Sequence, residues 1–275
     1  MLSYHPIAID ILNSIDALSA SLNRDLIEIS KLQLIHSGSE DFALRAISRF
    51  SNKVSGKIMT TYKNCDIIFS IYDINGGTKI TSTQRENPSY RLIIRPIDCY
   101  KNFLKGLSMF SSSFVLQRLD DSGYQNVFSL IVFNNGAITN TLYASYENDN
   151  KACYLNGRQA KIEERTSFSI SSAAFNSAAF LQPKLARVVK EAFSVISTNS
   201  IGYDTALISE GKLHALVYDD EQLINILPSF IMMDTMFFTL NLSQEQFAGN
   251  LQTLQKKVNF IASGASLYAK VLSLL

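Results

Sequence analysis

The sequence predicts a mixed α/β protein built in layers. Helical and strand-like patterns alternate in blocks along all 275 residues, which is the pattern of sheets covered by helices. The middle of the chain carries consecutive strand-like runs separated by tight Gly-containing turns. Apolar residues make up 47% and charged residues 18%, so a chain of this length can bury a large core. We read it as one domain over 1–275, with two subdomains of about 1–165 and 166–275.

The elements follow in order. From Ala8 to about Ile35, apolar residues recur at helical spacing (Ile11, Leu12, Ile15, Leu18, Leu22, Leu26, Ile29, Leu32), which predicts a long amphipathic helix. A second helix starts near Ser37 or Ser39, either of which suits an N-cap, with Glu40 and Asp41 at the positive end of the dipole. CDIIFSIYD and YRLIIR read as strands, with Asn75-Gly76-Gly77 marking a turn. SSSFVLQR, NVFSLIVF and AITNTLYASYE are the next strands, with turns at Asp121-Ser122-Gly123 and Asn134-Asn135-Gly136. ACYLNGR adds a short strand with an Asn-Gly turn. SFSISS reads as a strand and PKLARVVKEAF as a helix with proline near its first turn. SVIST is expected to be a short buried strand, and IGYDTALISEG a helix stopped by Gly211. KLHALVYD reads as a strand. EQLINILPSFIMMD reads as an apolar helix that Pro228 should kink or start. Everything from Ser243 onward is expected to be helix.

Composition narrows the function classes. Lys and Arg number 25 against 24 Asp and Glu, so wholesale attraction to nucleic acid is not indicated. Cys65, Cys99 and Cys153 are scattered and odd in number, which argues against a disulfide framework or zinc site and fits a reducing cytoplasm. The histidines His5, His36 and His214 are equally dispersed. No signal peptide pattern and no membrane-length apolar run is present in the sequence.

Several stretches share an order with a known family. RPIDCYKNFLKGLSMFSSSFVL resembles the DPIDGT-x-NF loop, helix and following strand of the inositol monophosphatase family, including its bacterial SuhB-type extragenic suppressors. AITNTLYASYENDNKACYLNGRQAKI resembles its central strands and Leu-Asn-Gly turn. NSIGYDTALISEGKL is similar to its GS-A-A-x-D helix, and the segment around Asn225 falls on its Trp-Asp motif. The resemblance spans roughly residues 38–240. It implies a layered αβαβα sandwich, a homodimer, and Mg²⁺-dependent hydrolysis of phosphate monoesters, in which carboxylates hold hard cations that polarise the phosphate and generate a nucleophilic water.

Carried over residue by residue, that chemistry is largely missing. The family's first loop aspartate is Arg95, a permanent cation that would repel Mg²⁺. Ile97 keeps a main-chain carbonyl position and Asp98 keeps the second aspartate, the residual metal ligand. The family glycine is Cys99, which crowds the phosphate approach, and the threonine that orients water is Tyr100. The ligating glutamate becomes Ser70, and the Trp-Asp aspartate becomes Asn225. Asp41 matches an early aspartate, and Asp204 matches a residue that contacts the sugar. Cys99 and Asp204 are thus the substrate-binding positions the resemblance implies. The plainer reading of Cys99 is a packing residue, and that of Asp204 is a support for its own helix. Asp98 is expected to cap amides or pair with Arg95, holding the loop shut.

The expectation is therefore an inactive or catalytically impaired relative with no intact metal site and a binding or regulatory role. Its SuhB-type resemblance points to the transcription machinery as a partner in antitermination. The alternatives are a Mg²⁺-dependent phosphatase on inositol phosphate or another small monoester, with a site rebuilt from Asp73, Asp219, Asp220 or Glu221, and a phosphate binder using Arg95 in place of metal charge.

Overall fold

A computed structural model describes residues 5–34, 39–72, 78–135, 138–146, 151–160, 165, 167, 169, 171–183 and 185–274. The expected turn over 75–77, Asp73, His36 and the Ser37 cap lie outside the described residues.

The first sheet contains β1 (Cys65–Tyr72), β2 (Thr78–Ser82), β3 (Tyr90–Arg95), β4 (Ser111–Asp120), β5 (Gly123–Asn135), β6 (Ile138–Ser145), β7 (Ala152–Leu155) and β8 (Arg158–Gln159). Their order is β2-β1-β3-β4-β5-β6-β7-β8, with β1 and β3 parallel and the other neighbours antiparallel. The turns at Asp121-Ser122-Gly123 and Asn156-Gly157 follow the sequence signals, while Gly136 of the expected Asn134-Asn135-Gly136 turn lies outside the described residues. Asn156 (φ 49°) and Gly157 (φ 77°) both take the left-handed region, as a two-residue hairpin turn requires. Between β3 and β4 lies α3 (Tyr100–Leu104).

The second sheet has the order β10-β9-β11-β13-β12, from β9 (Ser172–Phe175), β10 (Ser194–Ile196), β11 (Ala215–Gln222), β12 (Thr239–Leu240) and β13 (Lys257–Ser263). The remaining helices are α1 (Pro6–Leu34), α2 (Ser39–Thr61), α4 (Ser177–Phe180), α5 (Leu185–Glu191), α6 (Ile201–Ser209), α7 (Leu223–Thr235), α8 (Leu251–Leu254) and α9 (Ala265–Leu274).

Alternation along the strands builds the layers. On β3, Leu92 and Ile94 join Ile11, Leu22, Ile29, Ile47 and Phe50 of α1 and α2 in one core. Ile93 points the other way and joins Ile226, Phe230 and Met233 of α7, with Leu216 and Phe260 of the second sheet. Helices α6 and α7 are thus the filling between two sheets. Val188, Leu267 and Val271, from α5 and α9, cover the outer face of the second sheet. The result is the expected αβαβα sandwich.

Several expectations need correction. The stretch after Ser243 is not one helix: it holds a 3₁₀ turn (Gln244–Phe247), α8, β13 and α9. The run Val258–Ile261 is β-prone, and β13 pairs with both β11 and β12, which no local pattern reveals. The strand expected over SFSISS instead occupies Ser172–Phe175, and β10 is a half-buried edge strand and not a fully buried one. Of the two roles expected of Pro228, starting the helix is not the one it takes: it sits inside α7.

Arg91 and Arg95 lie at opposite ends of the inward face of β3, and both are buried. Arg91 donates through Nε to Gln117 Oε1 (2.5 Å), through Nη1 to Gly249 O (2.7 Å) and through Nη2 to Phe247 O (2.8 Å). Its guanidinium lies 3.7 Å from the Tyr124 ring centroid. With the Tyr124 N–H on the Ala248 carbonyl (3.1 Å) and Gln244 on Gln125 (2.9 Å), this side chain pins the segment between β12 and β13 to the first sheet.

Candidate functional site

The site that the sequence singles out sits where the end of β3, the start of β4, the N-terminus of α6 and the first turn of α7 meet. Its members are all buried: Ser70, Arg95, Ile97, Asp98, Cys99, Tyr100, Asp204 and Asn225. The residues near the metal loop come together, but they bond to one another as a solid core does.

Asp98 is the hub. Its Oδ1 accepts from the Ser111 main-chain N–H (2.7 Å) and its Oδ2 from the Ser111 hydroxyl (2.8 Å). The Ser200 hydroxyl lies 2.7 Å from both oxygens, and Gly202 N–H reaches Oδ2 at 3.0 Å. A carboxylate offers about four lone-pair directions, and these donors fill them. Ser200 is the N-cap of α6, so the negative charge sits at the positive end of that helix.

The expected Arg95–Asp98 carboxylate pairing is not what forms. Arg95 Nη2 donates to the main-chain carbonyl of Asp98 (2.9 Å), because the hydroxyls and amides already hold the carboxylate. Arg95 still holds the loop, but through its backbone. Across the site, the Ser70 hydroxyl donates to Asn225 Oδ1 (3.0 Å), and Asn225 Nδ2 donates to Glu221 Oε1 (2.7 Å). Two ionised carboxylates at that separation would need a cation between them; a serine and an asparagine close without one.

Cys99 packs in the core against α1 and α2, and burial pushes its thiol up to about 11, leaving it protonated near neutral pH. Tyr100 opens α3. Burial raises its phenol above the ordinary value, with smaller contributions from Glu40 and Asp41, which places the exposed Asp41 within reach of its field. Asp204 stands on the same helix, one turn beyond Ser200, within reach of the Asp98 charge. It accepts from Thr198 Oγ1 (2.7 Å) and from the Tyr218 hydroxyl (2.6 Å), and burial raises its pKa to about 7. Its contacts are those of a structural carboxylate between α6 and β11.

A divalent cation does not fit this set. Among the described residues, no group of three or more His, Cys, Asp or Glu side chains converges to hold one. Asp98 has no free lone pair for it, and Arg95 adds a positive charge beside the loop. Asp219, Asp220 and Glu221 lie together around the β11 irregularity, but they diverge: Asp219 bonds Gln182, Asp220 bonds Lys257, and only Glu221 turns to the site, where it accepts from Asn225.

Sequence reasoning missed Ser111, Gly202, Thr198 and Tyr218. A signal existed for the first: Ser111-Ser112-Ser113 are consecutive hydroxyls in an otherwise apolar, fully buried stretch of β4, and buried hydroxyls need partners. Gly202 is required by contact. A Cβ there would stand inside the Ser111 hydroxyl and 3.1 Å from Asp98 Oδ2. Gly202→Ala should therefore lower stability despite its helix propensity, by about 2 kcal/mol. Denaturant melts check this, and an unchanged midpoint would show that the packing around Asp98 is slack.

No protein-family model matches the sequence, and no curated protein matches it. Solved structures do. The extragenic suppressor protein suhB from Bartonella henselae superposes with a TM-score of 0.71 over 96% of this chain and 98% of its own, at 17% identity. A calcium-bound IMPase family protein from Staphylococcus aureus gives 0.66 over 96% and 95%, at 15% identity. An IMPase from Thermotoga maritima gives 0.60 over 94% and 96%, at 18% identity. These likenesses span nearly the whole of each chain.

Proposed function

The chain has the inositol monophosphatase fold, and we propose that it is a catalytically impaired member of that group with a binding or regulatory role. One observation carries the reading: the Asp98 carboxylate, which stands where the family pattern places a metal ligand, is filled by Ser111, Ser200 and Gly202. Around it, Arg95, Ser70 and Asn225 replace acids with a cation and a neutral pair. Metal-assisted phosphate hydrolysis needs several converging oxygen anions to hold Mg²⁺ and lower the pKa of a bound water. The loop offers one carboxylate, Asp98, already engaged, and the nearby acids Glu221 and Asp204 accept from Asn225 and from Thr198 and Tyr218. The SuhB-type resemblance makes the transcription machinery the first partner to try, and a homodimer the expected form. In the described residues no helix is long and apolar enough to cross a membrane.

The direct test is turnover of inositol 1-phosphate and an aryl phosphate across Mg²⁺ and Mn²⁺ concentrations, beside an active family member. Rates at background are expected. Metal-dependent turnover near the control would overturn the proposal and point to acids outside the loop.

A further inference from the structure

We infer that Asp98 is a strut between the layers, and that the α6 N-terminus takes the place a divalent cation would have, so that the loop is held shut and the protein folds without metal. The inference deepens the proposed catalytic silence and rests on the same site, but it concerns what the surviving acid does.

The observations are geometric. Asp98 follows β3, in the loop over 96–99 that leads into α3. Its carboxylate crosses to a different element, the start of α6, and meets Ser200 Oγ and Gly202 N–H there. Its main-chain N–H donates to Ser111 O (2.9 Å) while the Ser111 N–H donates back to its carboxylate (2.7 Å), so loop and strand grip each other reciprocally. Ser112 Oγ bonds the Pro96 carbonyl (2.5 Å), and Arg95 bonds the Asp98 carbonyl (2.9 Å). Asn102 Nδ2 adds a bond from α3 to the Thr198 carbonyl (2.8 Å), just before the α6 cap. The Asp98 and Pro96 groups of the loop are thus tied to β3, β4 and α6. The absence of a side chain at Gly202 is what allows the approach.

A strut and a vacant cation ligand respond oppositely to loss of charge. Acids gathered for a cation repel one another without it, so changing one to its amide raises the melting point of the metal-free protein. A strut changed to its amide loses acceptors: the Asn nitrogen would face the N–H of Ser111 or Gly202, leaving a buried donor unpaired.

The experiment uses the full chain, wild type and Asp98→Asn, melted in EDTA and in millimolar Mg²⁺ or Mn²⁺, with calorimetric titration of both cations into the wild type. Expected are a wild-type melting temperature indifferent to cation, no saturable heat, and a drop of roughly 5–10 °C in Asp98→Asn. Saturable cation binding that Asp98→Asn abolishes, or a variant that melts above the wild type in EDTA, would overturn the strut. If Asp98→Asn does not fold, Ser200→Ala removes one hydroxyl donor, with an expected drop of about 3 °C, and the wild-type titration stands by itself. Turnover measured on the same samples decides catalytic silence separately: an active protein that binds no cation at Asp98 would sink the proposed function and not the strut.

Discussion

Arg91→Ala is expected to cost roughly 3–5 kcal/mol of stability and to lower the melting temperature by about 10 °C. Arg91 is 2% exposed, and burial lowers its pKa to about 10, so it remains charged near neutral pH. It is kept charged in the interior by oriented neutral acceptors and an aromatic face. Removing it strands the Phe247 and Gly249 carbonyls and breaks the chain that continues from Gln117 Nε2 to Asn126 Oδ1 (2.7 Å). Each buried acceptor left without a donor costs about 1–3 kcal/mol. Arg91→Met separates the causes, since it restores most of the volume and none of the donors. If the hydrogen bonds dominate, Met recovers less than half of the loss in chemical denaturation. A methionine variant as stable as the wild type would show that packing alone held the segment.

The second large effect is a pH dependence. Asp204 has a folded pKa of about 7 against an ordinary value of 3.8, with burial as the main cause. The folded state therefore holds a proton that the unfolded state releases between those values, and stability falls as pH rises from about 4 to about 7. The full penalty, on the order of 4 kcal/mol, applies above pH 7 and is absent below pH 4. Asp204→Asn removes the titration. Its Oδ1 can accept from the Tyr218 hydroxyl while its Nδ2 donates to Thr198 Oγ1, which already accepts from Ser200 N–H (3.1 Å). The variant should thus be more stable than the wild type at pH 8 and similar to it near pH 4.5. Denaturant titrations across that range check this; parallel wild-type and variant profiles would mean that Asp204 does not titrate there.

The elements that sequence reading found well are those whose pattern is local. The long helix α1 shows its spacing in Ile11, Leu18, Leu22 and Ile29, which are all buried. The meander β4 to β8 is announced by alternation and by turn residues such as Asn156-Gly157. The C-terminal segment was misread because β13 lies between β11 and β12, and its strand character comes from those partners. At the site, the hydroxyl of Ser70, the cation of Arg95 and the amide of Asn225 were legible at once. The partner of Asp98 was not. Arg95 stands three residues away and was the natural counter-ion, yet Ser200 and Gly202, more than a hundred residues on in the chain, took the carboxylate.

The sequence by itself determined which chemical groups stand at the loop: one cation, Arg95, and one acid, Asp98. It also determined the alternation that makes a layered α/β fold. Only the tertiary structure decided where the surviving charge is satisfied. Hydrophobic periodicity is a property of neighbours along the chain, whereas a buried carboxylate takes whichever donors packing brings within hydrogen-bond distance. Here the α6 N-terminus and Ser111 of β4 hold the carboxylate, and Arg95 holds the backbone.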